Sequence, residues 1–181
     1  MAASDASSFP NDETVAIVGV GLIGGSIAAA LKKRGHSGMI LGVGRSETRL
    51  ADARTAGLID SASVDVSAAA AQADIMVFCT PVDRIVDGVR AAAAACRPGT
   101  LLTDAGSVKG AICSALTNGL PKSATFIGSH PLAGSERQGF EHADADLFEG
   151  RICVLTPCDS VSAAQLERLQ RFWSGLGAVV L

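Results

Sequence analysis

Nowhere in its 181 residues does this sequence carry an apolar run long enough to cross a membrane, which takes about 20 residues; Lys32, Lys33, Arg34 and other charges interrupt every candidate. Its first residues also lack the basic and apolar regions of a signal peptide. There is no surplus of positive charge either. A formal net charge of −3 and a pI near 5.5 give no electrostatic footprint for nucleic acid. The cysteines form no pattern: Cys79, Cys96, Cys113, Cys153 and Cys158 are odd in number and scattered through mostly apolar or Ala-rich stretches, which argues against a disulfide framework. Cys153 and Cys158 are separated by a Thr-Pro turn with no histidine or second pair nearby, so no metal site is expected. These absences leave a reduced, cytoplasmic protein whose partners are small molecules rather than nucleic acid or membrane.

What the sequence does have is apolar content. With 48% hydrophobic residues against 18% charged and a mean hydropathy of +0.35, it can build one large core but, at this length, not two full domains. Residues 1–13, MAASDASSFPNDE, are small, polar and acidic and are expected to form a flexible tail, leaving 14–181 as the folded domain. That domain opens on TVAIVGVGLIGGSIAAAL. Its β-branched Val15, Ile17 and Val18 suit a buried parallel strand, while Ile23, Ile27 and Leu31 recur at helical spacing. Between them Gly19, Val20, Gly21, Leu22, Ile23 and Gly24 spell G-x-G-x-x-G. One such glycine turns tightly, a second lets a pyrophosphate approach bare backbone, and a third lets helix pack on strand. The helix start adds free N–H groups and the positive end of the helix dipole. In a chain with 20 glycines the spacing alone is weak evidence; its setting between strand and helix, closed by Lys32-Lys33-Arg34-Gly35, reads as a dinucleotide site.

Residues 39–43 suit a second parallel strand, whose end bears on which dinucleotide fits. About twenty residues past the glycines, where an acid would accept from the adenosine 2′-OH, stands Gly44, followed by Arg45, Ser46 and Arg49. Two guanidinium groups and a hydroxyl suit a 2′-phosphate, so NADP is favoured over NAD. The alternatives are that Arg45 only caps a surface turn, or that both cofactors are used. Residues 48–56 read as helix stopped by Gly57, 58–62 as a short strand, 67–73 as helix, and 74–79 as a buried strand ended by Thr80-Pro81. Strand ends on this edge form the ligand crevice, so Cys79, Thr80 and Pro81 are expected at the ribose or nicotinamide, unless Thr80-Pro81 is a plain terminator. Helices are expected over 83–95, 109–116 and 161–176, and strands over 100–103, 124–127, 151–155 and 178–181. Strands alternate with helices throughout, which predicts an α/β fold: a doubly wound, mostly parallel Rossmann-type sheet with helices on both faces.

Of three histidines, His36 lies in a polar turn and His142 in a charged segment, and both read as solvated. His130 is held between Gly-Ser and Pro-Leu-Ala-Gly, in a loop directly after a strand on the nicotinamide edge. An imidazole titrates near neutrality and can take a hydroxyl proton as hydride leaves the same carbon. A loop-stabilising hydrogen bond is the other reading. Ser107 follows another strand end and reads also as the N-cap of the next helix; Lys109, in that helix's first turn, reads as a solvated surface charge in preference to a partner for a substrate carboxylate.

The stretches GVGLIGGS at 19–26, TDAGSVK at 103–109 and GSHPLAGSE at 128–136 resemble, in this order, the prephenate/arogenate dehydrogenase family, over essentially residues 14–181. The last two are the more specific. The resemblance implies oxidative decarboxylation in tyrosine biosynthesis, giving 4-hydroxyphenylpyruvate from prephenate or tyrosine from arogenate, with hydride passing from ring C4 to NAD(P). It assigns His130 as the group that takes the ring 4-hydroxyl proton and Ser107 as the group that positions histidine and substrate. Ser135 and Glu136 fall at the substrate mouth. It further implies an all-helical C-terminal domain that forms a homodimer and completes the cleft with a cationic residue. The chain stops at Leu181, so dinucleotide binding with poor turnover is expected of the 181-residue species. Two other readings stand beside this one. Another β-hydroxyacid or imine dehydrogenase-like reductase would not need Gly-Ser-His-Pro, and in a non-catalytic dinucleotide-sensing module replacing His130 would change nothing.

Overall fold

The first apolar run becomes the middle of a sheet. In the computed structural model, which describes residues 12–116, 120–121, 124–158 and 160–181, β1 (Val15–Val18) pairs in parallel with β2 (Ile40–Val43) on one side and β4 (Ile75–Phe78) on the other. All twelve residues of these strands are buried, as the near-continuous apolar sequence of a strand covered on both faces requires. Alternation sends Val15, Ile17, Ile75 and Val77 to one core and Ala16, Val18, Met76 and Phe78 to the other.

The first core is closed by α1 (Leu22–Lys33), α2 (Glu47–Thr55) and α6 (Ala163–Gly175) through Ile27, Leu31, Leu50, Leu169 and Trp173. The second is closed by α3 (Val66–Ala70), α4 (Val82–Ala95) and α5 (Lys109–Leu116) through Ala70, Ile85, Val89 and Ile112. Each fully buried Ile or Leu contributes about 1.5–3 kcal/mol relative to exposure. With β3 (Ser61–Ser63), β5 (Leu101–Asp104), β6 (Thr125–Pro131), β7 (Ile152–Thr156) and β8 (Val179–Val180), the eight-stranded sheet runs β3-β2-β1-β4-β5-β6-β7-β8. The doubly wound, mostly parallel fold expected from the alternation is the one observed.

Several local expectations are corrected. Glu13 belongs to the domain rather than the tail: its carboxylate accepts from Arg168 Nε at 2.8 Å, and Thr14 N–H donates to Asp74 at 2.8 Å. Residues 1–11 of the expected tail lie outside the described residues. The third strand falls at Ser61–Ser63 because Ile59 turns into the core and the Asp60 carboxylate takes the Ile40 N–H at 2.8 Å. The third helix starts one residue earlier than expected, where the Asp65 carboxylate caps the N–H groups of Ser67 and Ala68. Most consequential, Gly128–Pro131 is strand and not loop. Strand β6 pairs in parallel with β5 over Thr125, Phe126 and Ile127, then antiparallel with β7 over Gly128 to Pro131, placing His130 opposite Val154. Gly-Ser-His-Pro reads locally as a breaker, but β7, more than twenty residues on, supplies the ladder.

Candidate functional site

Strands β1, β4, β5 and the first half of β6 are parallel, so Val18, Phe78, Asp104 and the His130 segment emerge on one edge. Backbone bonds tie the outgoing chains together: Gly19 N–H to Val43 O at 2.8 Å, Cys79 N–H to Val18 O at 2.7 Å and Ala105 N–H to Phe78 O at 3.0 Å. The three glycines of the first turn have three separate reasons to be glycine. Gly19 has φ +97°, and a Cβ there would stand 2.9 Å from the Cys79 carbonyl. A Cβ on Gly24 would stand 2.2 Å from Gly19 O and 2.8 Å from Ile17 Cγ2. At Gly21 a Cβ would meet nothing within 4 Å, so this residue borders open space at the start of α1. That helix has no side-chain cap and no acid in its first turn, which leaves its N–H groups and dipole facing the opening.

The opening is a cleft of about 430 Å³ between Gly21, Leu22, Ile23 and Cys79 below and the loop following β6 above. From that loop Ser135 and, unforeseen in the sequence reading, Arg137, Gln138 and Gly139 line it. Thr80 Oγ1, next to Cys79, is buried with no hydrogen-bond partner among the described residues. An orphaned hydroxyl beside a cleft and an uncapped helix start are groups that could hold a dinucleotide. No group of three or more His, Cys, Asp or Glu among the described residues suits a metal ion.

At the end of β2, Gly44 is half-buried and Arg45 exposed, without an ion pair among the described residues. Ser46 caps α2, accepting from the Arg49 N–H at 3.3 Å. The Arg49 guanidinium is bidentate on Glu141, with Nη2 to Oε2 at 2.8 Å, and lies 4.5 Å over the Phe140 ring. Phe140 and Glu141 belong to the 3₁₀ turn Phe140–His142, which sits against α1 where Gly25 leaves room. Its continuation is pinned by Asp144 N–H on the buried Ser26 hydroxyl at 3.0 Å and by Lys33 on Asp146.

On the other side of the glycine turn, Asp104 joins the two catalytic candidates. Its carboxylate is fully buried; Oδ1 accepts the Ser129 N–H at 3.2 Å, and Oδ2 accepts the Gly106 N–H at 3.0 Å and the Lys109 ammonium. Lys109, read from sequence as a solvated charge, is only 13% exposed and is the counter-ion of this carboxylate. Ser129 Oγ lies 2.6 Å from Thr103 Oγ1 and accepts the Trp173 indole N–H at 3.0 Å. Half-buried His130 projects beyond the end of β5 on an antiparallel ladder, and exposed Ser107 follows Gly106. Ser107 stands two residues before Lys109, the first residue of α5, which places it one short of the cap position. Exposed Ser135 and Glu136 come five and six residues after His130 in the loop that roofs the cleft.

A parallel sheet of this order, reversing direction at β1 with a glycine turn and an open helix start at the switch point, defines a dinucleotide-binding domain. The sequence profile described as the prephenate dehydrogenase nucleotide-binding domain matches residues 27–181, so the chain belongs to the prephenate dehydrogenase family. Prephenate dehydrogenase of Bacillus subtilis is 32% identical over 167 residues, covering 92% of this chain and 45% of that protein. Among solved structures, prephenate dehydrogenase from Aquifex aeolicus in complex with hydroxyphenyl propionate and NAD+ superposes with TM-score 0.87 at 32% identity, covering 93% of this chain and 59% of the other. Synechocystis arogenate dehydrogenase gives TM-score 0.85 at 34% identity, with 93% and 58% covered. The chain spans about half the length of the curated relatives it matches.

Proposed function

We propose that this chain is the cofactor half of an NAD(P)-dependent dehydrogenase that oxidatively decarboxylates prephenate or arogenate. The observation that carries the reading is the Asp104 carboxylate, which fixes the His130 strand and the Ser107 loop together at the sheet edge beside the glycine turn. The crystallised Aquifex aeolicus relative holds a phenol with a short acid side chain together with NAD+, which supports a ring hydroxyl as the group presented here.

Residues 19–24 hold the pyrophosphate, Cys79, Thr80 and Pro81 border the nicotinamide half, and Gly44, Arg45, Ser46 and Arg49 border the adenosine ribose. Bound nicotinamide supplies the acceptor for the hydride from ring C4. His130 takes the proton of the C4 hydroxyl as that carbon is oxidised. The bond from the ring to its carboxylate then breaks, carbon dioxide leaves, and the electron pair completes the aromatic ring as a phenolate, which takes the proton back from His130. Ser107 holds the hydroxyl and the imidazole in line, and Ser135 with Glu136 stands where substrate enters. Arg45 and Arg49 favour NADP through its 2′-phosphate. Five free cysteines accord with a cytoplasmic setting, and the homodimer implied by the resemblance belongs to the protein that carries the remaining half.

The test is His130→Asn in the polypeptide that carries both halves. Loss of about 10²–10⁴ in kcat with unchanged NAD(P) affinity is expected for a missing general base. Unchanged kcat refutes the assignment. In the 181-residue chain, calorimetric titration with NADP and NAD, with Arg45→Ala alongside, checks the cofactor reading: NADP is expected to bind more tightly and to weaken in the variant.

A further inference from the structure

The position after β2 that ordinarily carries an acid for the adenosine ribose is glycine here, yet an acid reaches this corner from elsewhere. Glu141 comes in from the turn after the β6 loop, ninety-two residues from Arg49 in sequence, and grips both Nη atoms of Arg49. The pair stands against Gly139 at the edge of the cofactor cleft. Gly139, which lines the cleft with φ +92°, has room for no side chain because Arg49 Nη2 and Glu141 Oε2 stand 3.3 and 2.3 Å from where its Cβ would be. Arg49 follows Ser46 by three residues on the first turn of α2, its N–H bonded to the Ser46 hydroxyl, so its side chain belongs to the corner where a 2′-phosphate would sit.

We propose that Glu141 is a specificity-determining residue for the cofactor: it acts as a counter-charge that restrains Arg49 and holds down the preference for a 2′-phosphate over a 2′-hydroxyl. The inference rests on the reading of Arg45 and Arg49 as the 2′-phosphate site. A phosphate arriving at Arg49 shares the guanidinium with a carboxylate and is repelled by it, whereas the neutral ribose of NAD meets neither effect. Arg49 uses its Nη edge on Glu141, which leaves the Nε–H side for the phosphate. Hydrogen bonding from Arg49 holds Glu141 down to about 2, so the restraint is fully charged wherever the enzyme works. The Phe140 ring under the guanidinium fixes Arg49 in place and is indifferent to the 2′ substituent.

The experiment is calorimetric titration of NADP and of NAD into the 181-residue chain and into Glu141→Gln, Arg49→Ala and the double variant. Both side chains are half exposed, and far-ultraviolet circular dichroism with a cooperative thermal melt reports that each variant is folded. Glu141→Gln is expected to shift the affinity ratio toward NADP by about tenfold, and the shift is expected to vanish in the Arg49→Ala background. An unchanged ratio in Glu141→Gln, or a shift toward NAD, overturns the proposal. So does a shift that persists without Arg49. If Arg49→Ala leaves NADP affinity untouched, the 2′-phosphate reading of Arg49 fails as well; if Arg49→Ala weakens NADP while Glu141→Gln does nothing, only the role of Glu141 fails.

Discussion

Replacing Asp104 by Asn keeps the shape of a buried side chain and removes its charge. The carboxylate serves three donors: the Ser129 N–H, the Gly106 N–H and the Lys109 ammonium. An amide has one acceptor oxygen, so its nitrogen must face either Ser129 or the Gly106–Lys109 side, donor against donor. An unpaired buried N–H costs about 1–3 kcal/mol, and a buried charge stripped of its partner about 3–5 kcal/mol. Lys109 is 13% exposed and can turn its tip toward water, which pulls the second figure to its lower end. The expected loss is about 3–5 kcal/mol, about a fifth or more of a typical domain's stability of about 5–15 kcal/mol. Urea unfolding followed by far-ultraviolet circular dichroism measures it: with m near 2 kcal/mol/M the midpoint falls by about 2 M at unchanged m. Lys109→Met strands the carboxylate instead, and the double variant removes both charges, so the two losses are expected to fall short of additive by about 2 kcal/mol or more. A loss below about 1 kcal/mol for Asp104→Asn, or strict additivity, refutes the hub.

Other consequences are checked more simply. Gly24→Ala gains about 0.5–1 kcal/mol of helix propensity but drives a methyl into Gly19 O and Ile17, so a lower melting temperature and about tenfold weaker dinucleotide binding are expected. A variant that binds and melts as the parent does would contradict the packing role of that glycine. Burial pushes the Cys153 thiol up to about 12, so iodoacetamide at mildly alkaline pH is expected to leave it untouched until denaturant is added, as read by mass spectrometry. Glu141, held by Arg49 at about 2 against 4.5 unfolded, contributes stability above pH 4.5 that fades as pH falls through about 2. Glu141→Gln is therefore expected to flatten the acid limb of the stability–pH curve in that window, and an identical limb in both proteins would count against the ion pair.

What could be read from the sequence was what the chain does locally. The strand at residues 15–18, the glycine turn and α1 follow one another without interruption, so apolar periodicity and three glycines suffice to place them. The alternation of strands and helices gave the fold class for the same reason. His130 was found as a residue but misjudged in its setting, because the ladder that makes it strand comes from β7 across a long connection. Lys109 looked solvated because helical spacing says nothing of Asp104, which ends a buried strand and turns its carboxylate back toward α5. Arg137, Gln138 and Glu141 carried no signal at all. They enter the cleft or the adenosine corner only because Gly25 and Ser26 let the β6–β7 connection lie down on α1.

The bond from Trp173 to Ser129 also makes the molecule its own optical instrument. The chain has one tryptophan and no tyrosine, so its near-ultraviolet emission arises from a single indole. That ring is fully buried edge-on to Phe148 and Phe172, and its N–H ends on the residue preceding His130 in β6. Colour and intensity therefore report on the seam where β6 meets α6 and Phe148. A ligand or substitution that shifts β6 against this indole becomes visible without a label.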